Sequence, residues 1–337
     1  MPFLAEYIWL DVHDKFRSKI RVVNSDDEIN SWNYDGSSTG QAEVDTSEII
    51  LKPCKIFNNP LLISKSNNNT NINHKLVVCS TYNIHDEPLI NNHRHQAEII
   101  FNKKLEEEPW FGLEQEYFMI DKYTEQIIGF KPEIGISSTR IGKFYCNPIY
   151  QDKITTKIAE KHALACLDAQ IKISGINAEV APSQWEFQIG PSIGIDAGDD
   201  MMASRYLLEK IAASYNILIS YSPKLNRFLS GSGMHTNFST KKMREKEGLN
   251  EIYRVIENLK RNHSQDIEKY GKYNNLRLTG VHETANINEF TYGVGSRDTS
   301  IRIGYETHKN KCGYFEDRRP AANADPYLVT SSIFSTV

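Results

Sequence analysis

Residues 110–120 read WFGLEQEYFMI, and this stretch constrains the chain more than any other. Its aromatic and aliphatic content predicts a strand, and a two-residue period puts Glu114, Glu116, Phe118 and Ile120 on one face. Carboxylates side by side on a sheet repel unless water, a proton or a cation lies between them. A pair of this kind can also simply face solvent. Three other segments repeat the pattern. In QWEFQIG (184–190), Trp185, Phe187 and Ile189 take one face, Glu186 and Gln188 the other. In MHTNFST (234–240), His235, Asn237 and Ser239 oppose Met234, Thr236 and Phe238, and in GYFEDRR (313–319), Tyr314, Glu316 and Arg318 share a side. If these segments join in one curved sheet with helices on its apolar side, the polar rows line a common cavity. It gathers Glu114, Glu116, Glu186, His235 and Glu316, and Glu179 of SGINAEVAP can join them.

Five glutamates and one histidine are mainly hard oxygen donors without a thiolate, a set that favours Mg²⁺ or Mn²⁺ over zinc. Six ligands suggest two ions. A histidine on a half-apolar strand is also at home as a structural residue, so His235 draws its weight from the glutamates around it. A second constellation is basic: Arg277 in NNLRLTG, Arg297 and Arg302 in GSRDTSIRI, Arg318 and Arg319 in FEDRRP. Forked guanidinium groups beside divalent metals suit a phosphoryl-transfer site, although each arginine alone could serve an ordinary salt bridge. The sequence has no G-x-x-x-x-G-K-[ST] or H-E-x-x-H, which removes a P-loop and the common zinc-hydrolase motif. A nucleotide would have to be held mainly through metals and arginines.

Around this centre the chain changes style. Residues 7 to about 81 read as short alternating strands broken by turns, including the Asp-Gly pair of WNYDGSSTG. The Asn-heavy stretch 58–75 has little apolar surface and reads as a surface loop. NHRHQAEIIFNKKLEEE (92–108) has helical spacing and ends at Pro109, which places a boundary near 90–100. Beyond it, single strands alternate with amphipathic helices predicted over 153–170, 199–216 and 250–271. The fold class is therefore α+β, divided into 1–95 and 96–337, and no 20–50-residue repeat suggests a solenoid or propeller.

The formal net charge of −4 over 337 residues offers no general positive field for nucleic acid or anionic lipid. No apolar run approaches the roughly 20 residues that span a bilayer, and the N-terminus lacks a basic leader region. The expectation is a cytoplasmic protein without nucleic-acid or membrane partners. Five widely spaced cysteines without a C-x-x-C pair read as reduced thiols, and the sequons at Asn68, Asn237 and Asn262 as chance.

The blocks WNYDGSSTGQA, EIILKPCKIF, PWFGLEQEY, SGINAEV, QWEFQIGP, GSGMHTNFST, RLTGVHET and YFEDRRPAANADPY resemble, in order and spacing, the eukaryotic-type glutamine synthetases. The resemblance runs from about Ala5 to the end. It implies an N-terminal β-grasp domain followed by a catalytic domain whose curved antiparallel sheet, backed by helices, forms a funnel. It implies ATP-dependent ligation of ammonia to L-glutamate through γ-glutamyl phosphate, with two or three Mg²⁺ or Mn²⁺ ions per site and ATP as co-substrate. Glu116, Glu179 and Glu186 would hold the ion nearer glutamate and ammonia; Glu114, His235 and Glu316 would hold the one at the ATP phosphates. Arg297, Arg302 and Arg318 match arginines that serve phosphoryl transfer, ATP and the substrate carboxylate. Arg277 and Gly231 match substrate-side positions, and Asn237 and Ser239 match positions near the nucleotide.

Two further matches concern ammonia. Asp35 would reach a neighbouring subunit's funnel and help deprotonate ammonium, and Glu283 would sit on a flap over the intermediate. Sharing a site in this way implies a homo-oligomeric ring, two stacked pentamers in the eukaryotic type. The chain departs from the family at Arg227, Phe228, Leu229 and Ser230, where Gly-Asp-Trp-Asn is usual, so the shorter Ser230 is expected to weaken glutamate binding or shift substrate preference. Lys143 and Phe144 replace a Pro-Tyr pair. A catalytically inactive ring protein, and a γ-glutamyl ligase for another amine, are the rival readings.

Overall fold

A computed structural model of the chain describes residues 1–65, 71–130, 143–281 and 283–337, so part of the Asn-rich loop lies outside the described residues. The fold is α+β, as the sequence pattern requires. Five strands, β1 (Phe3–Leu10), β2 (Phe16–Val23), β3 (Trp32–Asp35), β4 (Glu48–Asn58) and β5 (Lys75–Tyr82), form an N-terminal sheet in the order β2-β1-β5-β4-β3. Only β1 and β5 run parallel. Both are buried on two faces. Ala5, Tyr7, Trp9 and Val77 pack with Tyr34 and Leu51 in a core of their own, while Ile8, Leu76 and Val78 join the main core of the chain. Each such buried aliphatic or aromatic side chain contributes about 2 kcal/mol. Polar ties reinforce the seam: Lys210 Nζ lies 2.6 Å from buried Glu6, and Arg94 grips Asp199 with two bonds of 2.8 and 3.0 Å.

The second sheet carries β6 (Trp110–Asp121), β7 (Ile173–Ala178), β8 (Gln184–Ile193), β9 (Ile217–Ser220), β10 (Met234–Ser239), β11 (Tyr292–Val294), β12 (Ile301–Ile303) and β13 (Phe315–Asp317). Its order is β11-β12-β13-β10-β6-β8-β7, with β9 pairing the far end of β6. All of these pairs are antiparallel except β11 with β12, a parallel edge that the all-antiparallel expectation lacked. Strand alternation sends Phe111, Leu113, Tyr117, Trp185, Phe187, Met234 and Phe238 into the main core.

The helices are α1 (His93–Asn102), α2 (Lys153–Asp168), α3 (Asp196–Ala213), α4 (Lys241–Arg244), α5 (Gly248–Arg261), α6 (His263–Lys269), α7 (Tyr305–Asn310) and α8 (Pro326–Ser335). Their apolar faces cover the sheet's back. Three expected spans change. The helix read over 92–108 stops at Asn102, because the backbone leaves the helical region at Lys104, and only a short turn, Leu105–Glu107, follows before Pro109. The helix read over 199–216 begins three residues earlier, at Asp196. The one read over 250–271 breaks at Asn262, whose backbone leaves the helical region, as asparagine does readily at helix ends.

Candidate functional site

Ladder register makes the site. In β6, Glu114 stands opposite His235 of β10, and Glu116 stands opposite Glu186 of β8. On β10, Asn237 opposes Glu316 of β13, which in turn opposes Arg302 of β12. Directly opposed residues have Cβ atoms about 5 Å apart, so these pairings bring strand ligands together, and Glu179, just past the end of β7, joins them from the connection to β8. Two groups result, Glu114–His235–Glu316 and Glu116–Glu179–Glu186, each with one ligand atom per residue lying within 4.8 Å of the others. All six predicted metal-ligating residues therefore fall into two triads, divided as the family resemblance implies.

The two triads are supported differently. Around the first, Nδ1 of His235 is 3.7 Å from Glu114 and 3.5 Å from Glu316. Asn237 donates to Glu114 at 2.8 Å, and Glu316 takes Arg318 at 2.6 Å and Arg302 at 3.3 Å. Around the second, the donors are neutral: the Gly233 N–H to Glu116 at 2.8 Å, the Asn177 amide to Glu179 at 3.0 Å, and the Gln188 amide to Glu186. Burial pushes the Glu116, Glu179 and Glu186 carboxyls up, and the charges of neighbouring glutamates add to the effect on each. Burial, with Arg318 next, holds His235 well below the usual imidazole range, leaving it neutral. A neutral imidazole and crowded, buried carboxylates are the donor set a hard divalent cation satisfies.

Two clefts flank the triads. One, of about 1100 Å³, is lined by Glu116, Glu179, Gly231, Glu283, Arg297 and Arg318, among others. Glu283 holds a left-handed backbone, φ 61°, unusual for a non-glycine residue, and its carboxylate meets Arg297 at 3.2 Å across this cleft. Ser230 and Arg277 also line it. The other cleft, of about 1000 Å³, is lined by Trp110, Glu114, Asn237, Ser239, Arg244 and Tyr314, among others. Arg244 lies over the Trp110 ring at 3.9 Å and donates to the Ser239 hydroxyl at 3.0 Å. The Nε–H groups of Arg302 and Arg318 are buried without a hydrogen-bond partner among the described residues, and a phosphate oxygen would satisfy such donors.

Arg319 is placed otherwise than the basic pattern suggested, and Arg277 and Asp35 have surroundings the pattern does not reveal. Arg319, counted with the basic constellation, is buried behind the sheet against Asp317 and Asp266, at 2.7 and 3.2 Å, because it lies one residue out of phase with Arg318. Arg277 spends one nitrogen on the carbonyls of Arg318, Arg319 and Pro320, so it also braces the backbone that carries Arg318. Asp35 sits exposed at the end of β3, bonded by Ser37 and Ser38, and is not among the residues lining either cleft of its own chain. Sequence reasoning missed Asn177, Gln184, Trp110 and Arg244 as site residues. Asn177 was accessible from its place two residues before Glu179; the others depend on packing.

The glutamine synthetase catalytic domain family matches residues 94–257. A protein of Acanthamoeba polyphaga mimivirus, whose glutamine synthetase name is provisional, is 48% identical over 99% of this chain and 94% of its own. A glutamine synthetase nodule isozyme of Lupinus luteus is 46% identical, covering 99% of this chain and 94% of its own. A glutamine synthetase cytosolic isozyme of Oryza sativa subsp. japonica is 45% identical, covering 99% and 93%. A cryo-EM structure of Plasmodium falciparum glutamine synthetase superposes with a TM-score of 0.76 at 16% identity, over 99% of this chain and 71% of that one, and so shares the fold. With such identity over nearly its whole length, the chain belongs to the glutamine synthetase family.

Proposed function

We propose that this chain is an ATP-dependent glutamate–ammonia ligase that makes L-glutamine, ADP and phosphate through enzyme-bound γ-glutamyl phosphate. The observation that carries the reading is the pair of ligand triads set side by side by the register of β6 with β8 and β10. Mg²⁺ or Mn²⁺ held by these triads would neutralise phosphate and polarise the transferring group. The Trp110–Tyr314 cleft would take ATP, with Asn237, Ser239 and Glu114 along its wall. Arg302 and Arg318, each with an unpartnered Nε–H, would hold the phosphoryl group as charge moves off it. The second cleft would take glutamate, its acid groups facing Arg297, Arg318 and Arg277 near Gly231.

Phosphorylation is needed because an oxide is a poor leaving group from the γ-carboxylate. Ammonium has no lone pair, so the acidic wall of Glu179 and Glu283 would attract the cation and a carboxylate would then remove a proton. Asp35, supplied by a neighbouring subunit in a ring of two stacked pentamers, would assist. Glu283, poised at the cleft and tied to Arg297, would keep water from the acyl phosphate. The division at 1–95 and 96–337, a cytoplasmic location and the preference for Mg²⁺ or Mn²⁺ belong to the same proposal.

The test is release of phosphate and glutamine by purified protein given ATP, Mg²⁺ and glutamate, with and without ammonium. Ammonium-dependent glutamine equal to phosphate supports the proposal. Product only with another amine would instead make the chain a different γ-glutamyl ligase. An intact ring without turnover would make it an inactive relative.

A further inference from the structure

The Glu116–Glu179–Glu186 triad has a support that the function above does not account for. Gln188 and Asn177 are diagonal neighbours near the rim of the sheet, on adjacent strands β8 and β7, where Gly175 stands opposite Gln188 and Glu186 opposite Asn177. The Gln188 side-chain amide donates both to the Asn177 carbonyl oxygen, at 2.6 Å, and to Glu186. Asn177 passes the chain on, donating to Glu179 at 3.0 Å. The result is a directional amide bridge with both donor ends aimed at carboxylates on different elements. Gly175 leaves room for it: a Cβ there would lie 2.6 Å from Gln188 Oε1.

We propose that Gln188 and Asn177 are positioning residues that set the separation and orientation of Glu186 and Glu179 for a divalent cation. The physical reason for amides is charge. A guanidinium in the same place would orient the carboxylates equally well but would cancel the negative charge that the cation needs. Glu316 of the other triad, flanked by Arg302 and Arg318, shows that alternative in the same site. Neutral donors, the two amides and the Val180 N–H on Glu179 among them, orient the carboxylates and leave their remaining lone pairs and full charge for the ion. This inference rests on the metal-holding reading of the triad.

The experiment is a calorimetric titration of metal-free protein with Mn²⁺, in wild type, Glu186→Gln, Gln188→Met and Gly175→Ala. Glu186→Gln identifies which binding class belongs to this triad. Gln188→Met keeps the length and loses both donors; it should weaken that class by about 10- to 100-fold while the other class stays within twofold. Gly175→Ala retains Gln188 but displaces its amide, and should reproduce the effect at smaller size even if Gln188→Met folds poorly. Unchanged Mn²⁺ affinity in both variants overturns the inference. So does equal weakening of both classes, or a raised KM for ATP with Mn²⁺ binding intact, which would make Gln188 a nucleotide contact. No Mn²⁺ binding by wild type would sink the metal reading itself, and the inference with it.

Discussion

Glu316 and Asp317 are consecutive residues of β13, yet they belong to opposite kinds of charged cluster. Glu316 faces the funnel with Arg318; Asp317 faces back with Arg319. Behind the sheet the account is closed. Arg319, 1% exposed, is bound bidentately by Asp317 and also meets Asp266, His263 and the Tyr270 hydroxyl. In the funnel it is open. Glu116, Glu179 and Glu186 share only neutral hydrogen-bond donors, and burial, with the charge of neighbouring glutamates, pushes their carboxyls up. A buried cluster whose charges cancel internally supports the fold, whereas one that stays short of a cation is built to receive one.

The sharpest way to break this contrast is to neutralise one member of each cluster. Glu186→Gln should cost the ligase reaction on the order of 10³-fold, the rate equivalent of several kcal/mol of lost charge stabilisation. Its metal-free melting temperature should hold or rise, since a carboxyl already forced toward its neutral form loses little as an amide. Arg319→Met should do the reverse, destabilising the protein by about 3–5 kcal/mol in denaturant titrations because it strands Asp317 and Asp266. If both variants lose stability equally, the distinction fails.

Glu283→Ala tests the open side at its rim. We expect ATP cleavage to continue while glutamine formed per phosphate falls severalfold, measured by product ratio at saturating ammonium; an unchanged ratio removes the shielding role. A smaller effect should appear in pH. A raised carboxyl is protonated in the folded chain at pH values where the unfolded chain, at about 4.5, has already ionised. The folded state then binds more protons, so metal-free stability should fall as pH rises from about 4.5 through the raised values. Burial also pushes Asp200 and Asp266 up to about 6 and Glu209 up to about 7, outside the funnel, so their shares of the fall are largely complete near those pH values. A decline continuing above pH 7 in thermal melts, and flattened by added Mg²⁺ or Mn²⁺, would assign it to the funnel. Smallest of all, Ser230→Asn should lower the glutamate KM about fivefold if the longer amide regains one hydrogen bond worth about 1 kcal/mol.

Period-two alternation was enough to place Glu114, Glu116, Glu186, His235 and Glu316 on a common surface, because a strand offers side chains only two directions. The same rule, applied to Arg318 and Arg319, separates them, and the type of residue alone had grouped them. Register was not legible: which residue of β8 stands opposite Glu116 depends on the shift in pairing between Phe111 and Leu113, a feature of sheet geometry. Nor was the double duty of Arg277, whose partners are main-chain carbonyls without sequence identity. The break at Asn262 was visible as a residue that tolerates non-helical backbone, but helical periodicity on both sides concealed it.

The burial of β1 and β5 on both faces bears on assembly. Because Ile8, Leu76 and Val78 are packed into the main core, and Glu6 is bonded to Lys210, the sheet that carries Asp35 is an outrigger bolted to its own body rather than an arm on a hinge. In the proposed ring, the distance from Asp35 to a neighbour's funnel would then be set by the angle at which whole subunits meet. A subunit joined at the wrong angle could not correct the fault by local adjustment, so the tolerances of the ring would become the tolerances of the reaction.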